Sequence, residues 1–125
     1  MDGGDPDGLI AAATRAQTVA DVARMLRELR RRGLQRGHGP DLTYRHIAQR
    51  TGYSRASVMA YFSGLTLPPE GRLRELAHLL GAAPGEQAAL AQARDRVETA
   101  RHGAESMARL RAGGQARGAV LRAAA

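Results

Sequence analysis

The sequence predicts an all-α fold, a compact bundle of four to five helices. Ala, Leu and Arg, all strong helix formers, dominate the composition, and no stretch alternates Val, Ile, Thr and aromatic residues as a strand would. The size points the same way. A chain of 125 residues whose 43% hydrophobic content is largely Ala, with three Tyr, one Phe and no Trp, suits one thin helical core.

Residues 1–17 are expected to be a mobile or partly helical N-terminal segment. The first eight residues hold three Asp, three Gly and a Pro, too little apolar surface to order an element. The Ala-rich run from about Asp7 to Ala16 has room for a turn or two of helix. Thr18, with Asp21 three residues on, reads as the N-cap of the first firm helix. Val22, Met25, Leu26 and Leu29 line one face of it, Arg24, Arg27, Glu28 and Arg31 fall outside that stripe, and it runs to about Gly33. Leu34 to Leu42, broken by Gly37, Gly39 and Pro40, reads as a loop.

Thr43 opens a second helix, Tyr44 to Arg50, with Ile47 and Ala48 inward and Gly52 as its left-handed stop. Ser54 caps a third, Arg55 to Ser63, whose Val58, Tyr61 and Phe62 have the i, i+3, i+4 spacing of a buried face. Leu73, Leu76, Leu79 and Leu80 mark a fourth that ends at Gly81, and Pro84 starts a fifth, from about Gly85 to Arg101. Residues 18–102 thus form the domain, and residues 103–125 an Ala/Arg-rich tail, frayed or disordered. Leu90, Ala93, Val97, Ala100, Ala104 and Met107 follow heptad-like steps, which suits packing on the chain's own core or a dimer seam.

Charge and chemistry narrow the function. The net charge is +7, which points to a polyanionic partner; that all 19 basic residues are Arg is by itself no evidence of binding. With no Cys there are no disulfides or thiolate metal sites, and His38, His46, His78 and His102 show no ligand spacing, so no metal or cofactor is expected. No phosphate loop or carboxylate cluster suggests an enzyme. No apolar run approaches the roughly 20 residues that cross a bilayer, and no signal peptide is evident, so the expected location is the cytoplasm, away from membranes.

The informative stretch is Leu42 to Pro69, two short helices joined by a minimal turn. Ala48 lets the helices pack closely, Gly52 makes the turn and Val58 anchors the second helix, which is the arrangement of a helix-turn-helix. The segments Thr-Tyr-Arg-His-Ile-Ala-Gln-Arg-Thr-Gly (43–52), Tyr-Ser-Arg-Ala-Ser-Val (53–58) and Tyr-Phe-Ser-Gly-Leu-Thr-Leu-Pro (61–68) resemble the XRE family, which includes Cro and phage repressors, in its actinobacterial form. The resemblance covers about Val19 to Gly81.

It implies double-stranded DNA as partner, with the helix after Ser54 in the major groove. Arg55, Ala56, Ser57 and Met59 would then read bases. Tyr44, Arg45, Ser54, Ser63, Thr66 and, in the long loop, Arg36 would touch phosphates. The sequence departs from that pattern at Tyr44, where Gln is frequent, and in its longer loop before Leu42. The expected function is a transcriptional regulator, repressor rather than activator, acting as a homodimer on an operator. The alternatives are an interaction or adaptor module whose basic surface docks an acidic protein partner, and the antitoxin of a toxin pair.

Overall fold

The computed structural model describes residues 6–37 and 42–124, and the side chains of residues 8–37 and 42–113. Among the described residues there are six helices and no strand: α1 (Pro6–Arg15), α2 (Val19–Gln35), α3 (Tyr44–Thr51), α4 (Arg55–Ser63), α5 (Glu70–Leu79) and α6 (Pro84–Ala124). The fold is all-α, as its composition requires.

Helix α2 is the hub, packed against α1, α4, α5 and α6. Its apolar stripe is fully used, since Val22, Leu26 and Leu29 have no exposure and Met25 only 3%. Thr18 and Asp21 form a reciprocal capping box: the Asp21 amide donates to Thr18 Oγ1 at 3.1 Å, and the Thr18 amide to Asp21 Oδ2 at 3.1 Å. Hydrogen bonds from the Gln17 backbone and from Thr18 outweigh desolvation and hold the Asp21 carboxyl below its usual range. Ile47, Val58, Tyr61, Phe62, Leu73, Leu76 and Leu80 close the core around the stripe.

Two elements exceed their sequence-based expectation. The N-terminal helix is more than a turn or two: α1 has 10 residues and packs chiefly on α6, burying Leu9 and Ala13, with Ala16 buried just beyond its end. Ala residues at this spacing allow close helix approach, an advantage that propensity alone does not reveal. Helix α6 does not stop near Arg101 but continues through Ala124, 41 residues in all and about 60 Å at 1.5 Å per residue. Leu90, Ala93 and Val97 of the heptad-like series are buried in the core, whereas every described side chain from Thr99 to Gly113 is exposed. The outer half therefore projects from the domain. Residues 38–41, the middle of the long loop, lie outside the described residues.

Many arginines serve as tethers. Arg27 Nη1 donates to the Phe62 carbonyl, Arg30 Nε to the Leu42 carbonyl at 2.6 Å, Arg94 Nε to the Pro68 carbonyl at 2.8 Å, and Arg96 Nη2 to the Ala13 carbonyl. Each fixes a helix end or loop to another helix. The basic face of α2 is thus not simply solvated, as a charge pattern read alone would suggest. Arg32 goes further inward: 4% exposed, it forms a bidentate pair with Glu86, itself 2% exposed, at 2.8 and 2.9 Å. Burial alone would raise the Glu86 carboxyl, but hydrogen bonds from Arg32 and the Ala83 amide outweigh it and hold the group below its ordinary range.

Candidate nucleic-acid interface

The path from α3 to α4 is built from local rules. Thr43 caps α3, accepting from the His46 amide at 3.1 Å, and α3 ends at Gly52 in the left-handed conformation (φ 78°, ψ 6°), whose amide returns to the Ala48 carbonyl. A side chain with a Cβ would be strained there. Only Tyr53 separates Gly52 from Ser54, the N-cap of α4, whose Oγ accepts from the Ser57 amide at 3.0 Å. The turn is therefore as short as two capped helices allow.

Tyr53 locks this turn to α5. Its hydroxyl donates to Glu75, its ring lies edge-on to Tyr61 at 6.5 Å, and the Arg72 guanidinium sits 4.3 Å over its face while donating to the Tyr61 hydroxyl at 2.9 Å. Desolvation, reinforced by the bond to Glu75, pushes the Tyr53 phenol up to about 12, so it stays neutral. At the other end of α4, Gly64 (φ 84°) lies so close to α2 that a Cβ would come within 3.2 Å of the Ala20 backbone. Both ends of α4 are thus held, and its outer face is presented rigidly.

That face is Arg55, Ala56, Met59 and Ser63, which fall together at i, i+1, i+4 and i+8 and are all exposed, Met59 at 51%. Arg55 has no hydrogen-bond or ion-pair partner among the described residues. Its fork is free. Ser57 lies on the flank, half-buried, and its Oγ accepts from the Ser54 hydroxyl at 2.8 Å, which leaves its own proton to donate. Ser54 is fully engaged as cap and donor through its side chain. Ser63 donates to the Ala60 carbonyl at 3.2 Å, and Thr66 is exposed in the following loop.

The remaining predicted contacts divide. Arg45 is exposed on the first turn of α3 and unpartnered among the described residues. Tyr44 packs its ring on Phe62, centroids 5.0 Å apart, beneath the Arg30 guanidinium at 4.9 Å, so its main role is in the packing of α3 on α4. Arg36 is not in the loop but is the C-cap of α2, and it lines a hollow with Gly33, Leu42, Arg50 and Leu79 to Gly81, a set that includes no residue of α4. Sequence reading passed over Leu65, 82% exposed immediately after Gly64. An apolar residue directly behind a helix-ending Gly was the available signal.

No Asp or Glu occurs between Asp41 and Glu70, a span that includes Arg45, Arg50 and Arg55. The helix-turn-helix unit is therefore positive with no internal offset. Residues 21–90 match a family model described as a helix-turn-helix domain. The chain belongs to that family. Comparison with curated proteins and with solved structures gives no match. The helix-turn-helix domain assigns DNA binding as the activity of this fold, and its matched span runs from Asp21 in the first turn of α2 to Leu90 in the core-facing half of α6. Among the described residues no group of three or more His, Asp or Glu stands where it could hold a metal ion, and no helix is long and apolar enough to cross a membrane.

Proposed function

We propose that the protein is a sequence-specific transcriptional regulator of the XRE type, a repressor that binds its operator as a homodimer. The observation that carries this reading is the outer face of α4. It presents Arg55, unpartnered among the described residues, beside Ala56 and Met59, on a helix fixed at both ends, within a stretch free of acidic residues. A guanidinium matches O6 and N7 of guanine, and Ala or Met can contact a thymine methyl.

Arg45 at the start of α3, Ser63 at the far end of the outer face of α4, Thr66 beyond it, and the backbone amide of Ser54 would hold phosphates and fix the register. The Tyr44 hydroxyl and Arg36 would add contacts only at the edges of that footprint. The exposed half of α6, with Met107 at 52% and Leu110 at 70% exposure, is the surface best suited to join two copies on half-sites about one helical turn apart.

Selection from a random duplex pool, followed by titration of the selected site at several salt concentrations, tests the proposal. With Arg45 and Arg36 of each protomer on phosphates, four cations in the dimer, log affinity should fall against log salt with a slope of about −4. A slope near zero would instead favour an adaptor that docks an acidic protein.

A further inference from the structure

Between α1 and α2 lies a hollow of about 430 Å³, within the size range of small-molecule sites. It lies apart from the α3–α4 unit. Leu9, Ala12, Ala16 and Met25 give it an apolar wall, and its charged lining is Arg15, Arg24, Arg31 and Arg32 with Asp21 and Glu28.

Pairing these charges leaves a remainder. Arg24 lies 3.9 Å from Asp21, Arg31 is ion-paired with Glu28, and Arg32 is neutralised by Glu86. Arg15, exposed in the last turn of α1, has no partner among the described residues. Among the described residues one positive charge is therefore uncompensated beside an apolar wall. Arg32 also lines the hollow, but its fork is turned to Glu86 and its Nε, without a hydrogen-bond partner among the described residues, is buried, so it is Arg15 that is offered to a ligand.

We infer that this hollow binds a small monoanion with an apolar body, a carboxylate carrying a short aliphatic or aromatic group. Arg15 takes the carboxylate in its planar fork, and the apolar body displaces water from Leu9, Ala12 and Met25. Asp21 and Glu28 on the rim disfavour a second negative charge, which excludes phosphomonoesters and nucleotides as the preferred class. The ligand bridges α1 to α2 and so stiffens the N-terminal helix against the domain. None of this depends on DNA binding.

The test uses the full chain with octanoate and benzoate as probes and octan-1-ol as the uncharged control, followed by calorimetry and methyl NMR. At least one of the two carboxylates should saturate at one per chain, with shifts concentrated on Leu9, Ala12 and Met25, and octan-1-ol should bind about tenfold more weakly than octanoate or not at all. Arg15→Gln should lower carboxylate affinity about tenfold, leave any octan-1-ol binding unchanged and leave the melting temperature of the free protein in place. Absence of saturable binding by both carboxylates overturns the inference. So does octan-1-ol binding as tightly as octanoate, indifference to Arg15→Gln, or shifts centred outside α1 and α2.

Discussion

In the proposed regulator, specificity turns on Arg55. It is the first residue of α4, behind the Ser54 cap, and its guanidinium is unpartnered among the described residues. Arg55→Ala should abolish preference for a guanine at one position of each half-site, a loss of about 1 to 3 kcal/mol, while non-specific binding largely persists. Arg45→Ala should weaken selected and scrambled duplexes by about the same factor, as expected of a phosphate contact. Titration of both variants against both duplexes decides the matter. Equal losses for Arg55→Ala would shift base reading to Ser57, Met59 or Leu65. Caps and turn residues at this scale are legible in the sequence because each obeys a local hydrogen-bond rule: Thr18, Thr43, Gly52 and Ser54 all stand where spacing puts them. What spacing cannot show is the partner of a long side chain. The tethering of Arg27 and Arg30 to distant carbonyls and the stacking of Tyr44 on Phe62 depend on which helices meet.

At the scale of elements, the joint between α2 and α6 depends on the buried Arg32–Glu86 pair. Glu86→Leu should destabilise the fold by about 3 to 5 kcal/mol, because it leaves a guanidinium buried without its counter-charge. Adding Arg32→Met should recover most of that loss, since two apolar side chains can fill the space that the pair occupied. Chemical denaturation of the two variants tests both statements. The pH dependence follows from the same pair. The folded-state value of Glu86 lies below its ordinary 4.5, so its contribution is fully present above that value and is lost as the pH falls through the folded value. Melting temperature should therefore decline on acidification below about pH 4.5, and the double variant should decline less. The pairing itself was not legible in the sequence, because its members lie 54 positions apart, but each falls on its helix's buried stripe, Arg32 three residues after Leu29 and Glu86 four before Leu90, and that was the available signal. The same limit hid the extent of α1, whose small buried faces become favourable only when α6 is there to receive them.

The whole molecule joins a closed core to a helix that leaves it. Packing of α6 against α1, α2 and α5 involves its inner half, whose buried side chains end at Val97, while the described side chains from Thr99 to Gly113 meet solvent. A long helix carrying Gly103 and Gly113 without tertiary support is intrinsically weak, since each interior Gly costs about 1 kcal/mol relative to Ala. In the proposed dimer a second copy covers Met107 and Leu110. Deleting residues 103–125 should therefore separate two properties. The domain should melt within a few degrees of the full chain, because the buried apolar side chains described all precede the cut. Self-association measured by sedimentation should disappear, and affinity for a two-half-site operator should fall towards that for a single half-site. If the truncated chain unfolds at room temperature, the outer half of α6 belongs to the core rather than to an interface. If it remains folded and still dimerises, the joining surface lies on the domain itself, and the exposed Leu65 becomes the first residue to substitute.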